Sequence, residues 1–177
     1  MDARHHLPAL WLISDERNDA VLEDALARLP RGSGLVYRHY HLPPEARLAR
    51  FEELARVTRQ RKHTVILADS AQTATEWGAD GIYGAPRALG RRDGLLRLAT
   101  AHNLREIGDA NRAGADAVFL SPVFATRSHP AAKTLGPLRF RLLSGLSRAP
   151  VIALGGMTQR RAERLEWPLW AAIDGLS

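Results

Sequence analysis

Hydroxyl and cationic side chains are concentrated in one segment, which follows a short apolar run at 117–120. The segment reads FATRSHPAAKTLG, and its polar members include Thr126, Arg127, Ser128 and His129. Hydroxyls donate hydrogen bonds and cations attract negative charge, so these residue types are typical of an anion-binding loop. The same segment would also suit a solvated surface loop, in which Gly136 and Pro137 simply begin the next helix.

A glycine pair, Gly155–Gly156, lies between an apolar run and a helical pattern that starts at Thr158. Backbone amides that carry no side chain, placed at the positive end of a helix, form a suitable cradle for an oxyanion or a phosphate. The alternative is a tight turn between strand and helix, with Thr158 as the N-cap.

Arg38 lies within the run VYRHYHL, where period two places it on the same face as Val36 and Tyr40. If that face points into a barrel, the arginine is costly to bury unless it meets an anion. We expect this inward orientation, while the opposite phase would place Arg38 on the outside.

Eight short apolar runs, bounded by Gly, Pro or Asp, predict strands. They lie at 9–14, 34–40, 64–69, 81–84, 95–101, 117–123, 150–156 and 170–176. Segments with a helical period, or short enough for about two turns, lie between them. These are 18–30, 43–62, 71–77, 88–93, 103–114, 138–146 and 158–166.

Strands that alternate with helices predict an α/β fold with a parallel sheet, either an open doubly wound sheet or a closed barrel. No GxGxxG motif follows the first strand, and the glycine pair follows the seventh, where barrels commonly bind phosphate. We therefore predict a compact (β/α)8 TIM barrel that forms a single domain over residues 1–177. Its third and fourth helices are short, and no C-terminal closing helix is expected, so a second subunit of a homodimer could cover the flank.

The tripeptide Gly-Ala-Asp occurs twice before a predicted strand, at 78–80 and 114–116. Each glycine is expected to end a helix in the left-handed conformation, and each aspartate to bind local amides. The repetition indicates repeated strand–helix units.

Composition narrows the classes of function. The net charge is +6 and the pI about 10.6, but the arginines are spread over nearly every predicted helix and interleaved with acids. With no nucleic-acid motif present, we expect a small phosphorylated substrate and no nucleic-acid or membrane partner.

The absence of cysteine excludes disulfides and thiolate sites, and no apolar run approaches the ~18 residues of a membrane span. A soluble cytoplasmic protein without a histidine-based metal site is expected.

Several of these stretches together resemble one family of barrels, the thiamine phosphate synthase/TenI family. The resemblance is carried by LWLISDER at 10–17, GADAVFLSPVFATRSHP at 114–130, LGPLRF at 135–140 and PVIALGGM at 150–157. It implies a transferase of thiamine biosynthesis, which couples hydroxymethylpyrimidine diphosphate with thiazole phosphate to give thiamine phosphate and diphosphate. TenI-type members of the family are thiazole tautomerases.

The resemblance implies roles for individual residues. Gly155 and Gly156 match the phosphate-binding glycines, Gly136 the glycine that opens the next helix, and Thr126 and Ser128 the two threonines of a Pro-Thr-x-Thr-Lys loop. On the diphosphate side the match covers Arg38 and Thr100, while Arg127 and His129 could offset charges that the pattern lacks. These four are the candidate catalytic residues. Asp69 matches an aspartate that helps hold Mg²⁺ and diphosphate.

The departures from the family's pattern fall on the diphosphate side. Ala68 replaces an asparagine, no acidic residue follows strand four, and His129 stands where the loop lysine is expected. Two alternatives therefore stay open: a non-catalytic barrel that binds a phosphorylated thiazole or thiamine ligand, and a tautomerase that uses His102 or His129 as its base. Ser121–Pro122 stands where tautomerases carry a histidine, which argues against the second.

Overall fold

Eight parallel strands close into a barrel in the computed structural model, which describes residues 7–90, 94–126 and 133–176. Each strand pairs with its neighbours in chain order, and the first pairs with the last. The strands are β1 (Leu10–Ile13), β2 (Gly34–Tyr37), β3 (Thr64–Leu67), β4 (Gly81–Gly84), β5 (Leu96–Ala101), β6 (Ala117–Leu120), β7 (Val151–Ala153) and β8 (Trp170–Ala172). The predicted TIM barrel is therefore confirmed.

Helices connect the strands on the outside of the barrel. They are α1 (Leu22–Arg28), α2 (Pro44–Gln60), α3 (Ala71–Trp77), α4 (Leu104–Ala113), α5 (Gly136–Ser144) and α6 (Gln159–Leu165). The predicted first helix is divided, because a 3₁₀ helix at Glu16–Val21 precedes α1. Side chains of Asn103 and Thr158 cap α4 and α6, and Thr158 is the N-cap that the sequence suggested.

The prediction of a fourth helix at 88–93 is wrong for the part that the structure describes. A single 3₁₀ turn at Pro86–Ala88 connects β4 to β5, and residues 91–93 lie outside the described ranges. Gly90, at φ +59, cannot continue a right-handed helix. Among the described residues no helix follows β8, and no helix is both long and apolar enough to cross a membrane.

The barrel interior is filled by large side chains from alternate positions of the strands. Trp11 is fully buried and meets Phe119 edge-on, with ring centroids 5.8 Å apart. Gly34 provides the room, because a Cβ there would lie 2.1 Å from the Trp11 ring. Val36 belongs to the same interior cluster as Trp11 and Phe119, so its face of β2 points into the barrel. By the period of two, this is the face on which Arg38 is predicted to lie.

Both Gly-Ala-Asp repeats have the same structure. Gly78 and Gly114 end α3 and α4 in the left-handed conformation, as predicted. The aspartates differ from the prediction, because they bind the preceding strand and not local amides. Asp80 accepts a hydrogen bond from the Val65 amide at 2.7 Å, and Asp116 accepts one from the Arg97 amide at 2.9 Å. The repeat therefore joins neighbouring strands near their amino ends, opposite the carboxyl ends of the strands.

Two buried histidines are expected to make stability depend on pH. Burial lowers the pKa of both His39 and His63 below the usual 6.5, although hydrogen bonds to the Asp19 carboxylate and the Leu26 carbonyl work in the other direction. The unfolded chain therefore takes up protons on these side chains at a higher pH than the folded chain does. The free energy of unfolding should fall as the pH decreases below about 6.5. Urea unfolding at pH values on either side of 6.5 checks this, with His63→Gln expected to flatten the dependence; a free energy that rises toward acid would contradict it.

Candidate active site

A cavity of about 450 Å³ opens at the carboxyl ends of the strands, and we call it the mouth cavity. Four of the residues predicted to form the site line it together: Arg38, Thr100, Thr126 and Gly155. The other lining residues are Tyr83, His102, Ser121, Pro122, Lys133, Leu154 and Ile173. Among these described lining residues none is Asp or Glu, while two, Arg38 and Lys133, are basic. The mouth cavity is therefore suited to anionic ligands.

A second cavity, of about 540 Å³, adjoins the first beside the loop after β7, and we call it the rim cavity. It contains the predicted glycine pair, Gly155 and Gly156, and shares Thr126, Leu154, Gly155 and Ile173 with the mouth cavity. The remaining lining residues are Ala125, Met157, Thr158, Arg161, Ala172, Asp174 and Gly175. The shared residues show that the two cavities are neighbours at the same end of the barrel.

Only glycine fits at the two positions beside the rim cavity. The φ angles are +95° at Gly155 and +61° at Gly156, both in the region that disfavours other residues. A Cβ at Gly155 would lie 2.6 Å from the Pro122 Cα, and one at Gly156 would lie 2.3 Å from the Ala125 carbonyl oxygen. The loops after β6 and β7 thus pack backbone against backbone, and the Phe124 amide donates to the Gly155 carbonyl at 3.0 Å.

Arg161 brings a cation to the rim cavity, and the sequence reasoning missed it. Its guanidinium donates to the Gly156 carbonyl and lies over the Phe124 ring, 5.0 Å from the centroid. The sequence signal for this role is its position three residues after Thr158, in the first turn of α6. From there its side chain can reach the preceding loop. Asp174, which also lines this cavity, lies 3.5 Å from a guanidinium nitrogen of Arg17.

Arg38 follows β2 directly and is held by residues at the end of β1. Its Nε donates to the Ser14 carbonyl at 3.0 Å, and its Nη2 lies 2.8 Å from Oδ2 of Asp15. The Arg38 amide donates to the Ser14 hydroxyl at 2.8 Å. The guanidinium is therefore oriented before any ligand arrives, with a side-chain exposure of 22% that leaves it open to the mouth cavity.

Asp69, predicted as a metal ligand, is already paired. Its Oδ2 lies 2.5 Å from Nη1 of Arg47, and its Oδ1 accepts from the Ser70 amide at 2.7 Å. Burial works to raise the pKa of Asp69, but these hydrogen bonds outweigh it and hold the pKa below its usual range. Within the part of the chain that the structure describes, no group of three or more His, Cys, Asp or Glu side chains is arranged to hold a metal ion.

Thr100 and two residues that the sequence analysis did not assign to the synthase site share the mouth cavity. Tyr83, the third residue of β4, meets the Phe119 ring edge-on, with ring centroids 5.2 Å apart. Burial raises the pKa of Tyr83 to about 12, so its hydroxyl stays protonated and can donate. Nδ1 of His102 lies 2.9 Å from the Ser121 carbonyl, which can only accept, so this nitrogen carries the proton.

Lys133 was also missed. It lies near the end of the loop after β6 and lines the mouth cavity. The chain has only two lysines, Lys62 and Lys133, and the scarcity of lysine was the one signal available. The structure thus offers a lysine ammonium to the mouth cavity from a position four residues beyond His129.

Gly136, another predicted site residue, lines neither cavity. Gly136 begins α5 with φ +68°, and its amide donates to the Val123 carbonyl at 3.0 Å, which fixes the start of the helix against the loop after β6. Arg127, Ser128 and His129 lie outside the described residues.

Comparison with known proteins agrees with this architecture. A family model described as "Thiamine monophosphate synthase" matches residues 10–167. The thiamine-phosphate synthase of Chloroflexus aurantiacus is 32% identical over 166 residues, which cover 89% of this chain and 74% of that protein. The thiamine-phosphate synthase of Geobacillus thermodenitrificans is 25% identical, and the match covers 99% of this chain and 84% of that protein.

A solved structure has the same fold. The thiamine phosphate pyrophosphorylase from Pyrococcus furiosus superposes with a TM-score of 0.79 at 23% identity, covering 97% of this chain and 88% of that one. The match of the family model spans most of the chain, from β1 to the end of α6. The chain therefore belongs to the thiamine monophosphate synthase family.

Proposed function

We propose that this chain is a thiamine phosphate synthase, a transferase that couples hydroxymethylpyrimidine diphosphate with thiazole phosphate. The bond between the pyrimidine methylene carbon and a diphosphate oxygen breaks, and diphosphate leaves with the bonding electrons. The thiazole nitrogen donates its lone pair to the same carbon, which gives thiamine phosphate. Membership of the family and the names of the relatives support this reaction, and they do not favour the binding-only or the tautomerase alternative.

The observation that carries the proposal is the pair of adjoining cavities at the carboxyl ends of the strands. The reaction needs two anionic substrates in contact and little acid–base chemistry, so catalysis depends on position and on charge. The rim cavity supplies glycine backbone and a cation, and the mouth cavity supplies Arg38 and Lys133. Their shared residues, Thr126 and Gly155 among them, lie where the two substrates would meet.

Each group of residues has a distinct role in this proposal. The thiazole phosphate binds in the rim cavity at Gly155 and Gly156, with hydroxyls from Thr126 and Ser128 and with Gly136 shaping the loop. Arg38, Thr100 and Lys133 surround the diphosphate in the mouth cavity, where Arg127 and His129 are expected to add charge. Cations placed before the reaction stabilise the negative charge that develops on the leaving group.

Magnesium was expected from the family, but the described residues do not fit a resident metal site. Asp69 is the carboxylate that would bind it, and Arg47 already holds that carboxylate. In the described ranges, no group of three or more His, Cys, Asp or Glu side chains is arranged to complete a set of ligands. No step of the proposed mechanism therefore passes through the metal.

Lys133 is expected to stand in for the loop lysine. Lys133→Met should lower kcat/KM for the pyrimidine diphosphate about 10-fold or more, because the leaving group loses a preorganised cation. Lys62→Met is the matched control, since it removes the other lysine, which lies after α2 at the opposite end of the strands. Steady-state kinetics on both variants check this; equal activity of the two would contradict the role of Lys133.

Localisation, domain organisation and oligomeric state are also part of the proposal. We expect a cytoplasmic protein whose barrel is a single domain and which forms a homodimer. The outer face of α5 supports the dimer, because Leu138 and Leu142 are 75% and 65% exposed and lie one turn apart. Sedimentation at several protein concentrations distinguishes a dimer from a monomer.

The experiment that tests the function is a turnover assay with both substrates. We expect thiamine phosphate and diphosphate to appear in equal amounts, measured by chromatography and by release of phosphate after pyrophosphatase treatment. Omission of either substrate should abolish both products. Binding of thiazole phosphate by calorimetry without any turnover, in well-folded protein, would replace the synthase with a binding protein.

A further inference from the structure

The residue after Arg38 has an unusual backbone and a fully buried side chain. His39 has a φ of +41°, in the left-handed region that residues other than glycine seldom adopt. Its imidazole is 0% exposed and stacks on Tyr37, with ring centroids 4.8 Å apart. Strained backbone of this kind persists only where the surroundings enforce it, and it is often found at functional sites.

Hydrogen bonds connect the His39 ring to Arg38 through two other side chains. Nε2 of His39 lies 2.9 Å from Oδ1 of Asp19, and Nδ1 lies 2.8 Å from Oγ of Ser14. The Ser14 hydroxyl in turn accepts from the Arg38 amide at 2.8 Å. Ser14 is also fully buried. We call these three side chains, Asp19, His39 and Ser14, the relay.

The direction of each hydrogen bond follows from the acid at the end of the relay. Burial works to raise the pKa of Asp19, but hydrogen bonds from His39 and Arg50 hold it below the usual range, so the carboxylate only accepts. Nε2 of His39 therefore carries the proton, and the bare Nδ1 accepts from the Ser14 hydroxyl. Each hydrogen bond along the relay then has one donor and one acceptor, in a consistent order.

The relay is anchored at one end and reaches the mouth cavity at the other. Nε of Arg50, in α2, donates to Oδ1 of Asp19 at 2.7 Å and fixes the carboxylate. At the far end Ser14 binds the Arg38 amide with its hydroxyl and the Arg38 Nε with its carbonyl. A shift of Ser14 would thus move both the main chain and the guanidinium of Arg38.

We propose that Asp19, His39 and Ser14 are positioning residues, which hold Arg38 in the orientation that meets the leaving diphosphate. The catalytic part of this inference rests on the proposed synthase function. The relay touches no substrate itself. Its effect is to fix the guanidinium of Arg38 before the ligand binds. A guanidinium held in that orientation stabilises the transition state more than it stabilises the bound substrate.

A double-mutant cycle tests whether the relay acts through Arg38. Ser14→Ala should lower kcat about 10- to 100-fold, with a smaller change in KM for thiazole phosphate, because a misplaced guanidinium costs rate more than binding. In an Arg38→Ala background the same change should cost less than about two-fold. Ser144→Ala is the matched control: it removes another buried serine hydroxyl, bound to the Phe140 carbonyl in α5, and should leave kcat unchanged. Additive losses in Ser14 and Arg38 variants would overturn the proposal.

A second readout does not depend on activity. The NMR resonance of the Arg38 Nε–H group should show slow exchange in the original chain, since this proton is bonded to the Ser14 carbonyl. His39→Asn, which tolerates the left-handed backbone but cannot span both partners, should shift this resonance and speed its exchange. An unchanged resonance in that variant would refute the relay. If the original chain shows no turnover, the synthase function fails, and the resonance still decides the relay.

Discussion

Replacement of Arg38 by alanine is expected to lower kcat/KM about 10²- to 10³-fold. The guanidinium lines the mouth cavity and is already oriented by Ser14 and Asp15, so it can stabilise developing charge without reorganisation. Arg38→Lys should recover only part of the activity, because an ammonium cannot bind Ser14 and Asp15 while also facing the ligand. Steady-state kinetics with the pyrimidine diphosphate as the varied substrate measure the effect.

The control for this prediction is Arg112→Ala, which removes an exposed arginine at the end of α4, where it pairs with Asp109. Its kcat/KM should match that of the original chain, since surface ion pairs contribute little. If Arg38→Ala stays within about three-fold of this control, charge at the mouth cavity is not what drives the reaction.

Gly156→Ala is expected to weaken the binding of thiazole phosphate, with KM raised about 10-fold or more. The added Cβ would lie 2.3 Å from the Ala125 carbonyl oxygen, so one of the two loops must move. The left-handed φ of +61° adds strain of about 1 kcal/mol for a residue with a side chain. Calorimetry with thiazole phosphate and kinetics with that substrate varied both report the change.

Gly32→Ala is the control that adds backbone strain without a steric clash. Gly32 has a φ of +78°, but a Cβ there would meet nothing within 4 Å, and it lies before β2, away from the rim cavity. This variant should lose stability by about 1 kcal/mol and keep its KM. If Gly156→Ala also keeps its KM, the glycine pair is a structural turn and not a phosphate cradle.

The barrel could be predicted because each strand–helix unit is indicated by residue types within its own short segment. Helix ends at Gly78 and Gly114, caps at Asn103 and Thr158, and short apolar runs between them are all set by neighbours within a few residues. The fourth helix was overpredicted for the same reason, because a 3₁₀ turn at Pro86–Ala88 and a helix start look alike over so few residues.

Part of the site followed from topology. In a parallel barrel the residues at the carboxyl ends of the strands meet, so the barrel prediction places Arg38, Thr126 and Gly155 at one site, and the resemblance adds Thr100. The inward phase of Arg38 needed only the period-two alternation with Val36. These predictions use rules that hold for the whole fold class.

The rest depends on contacts between distant parts of the chain. Asp69 pairs with Arg47, which is 22 positions away on α2, and nothing in the local sequence indicates that pairing. His39 reaches Asp19, which is 20 positions away, and adopts a left-handed backbone that its sequence neighbours do not require. Lys133 lines the mouth cavity from the connection between β6 and α5, and its residue type alone does not determine that position.

The most direct test of the two-cavity arrangement is a crystal structure of the protein with thiazole phosphate and inorganic diphosphate bound. We expect the thiazole phosphate oxygens within hydrogen-bonding distance of the Gly155 and Gly156 amides, and the diphosphate against Arg38 and Lys133. Thiazole phosphate bound outside the rim cavity, with those two amides turned away from any anion, would contradict it.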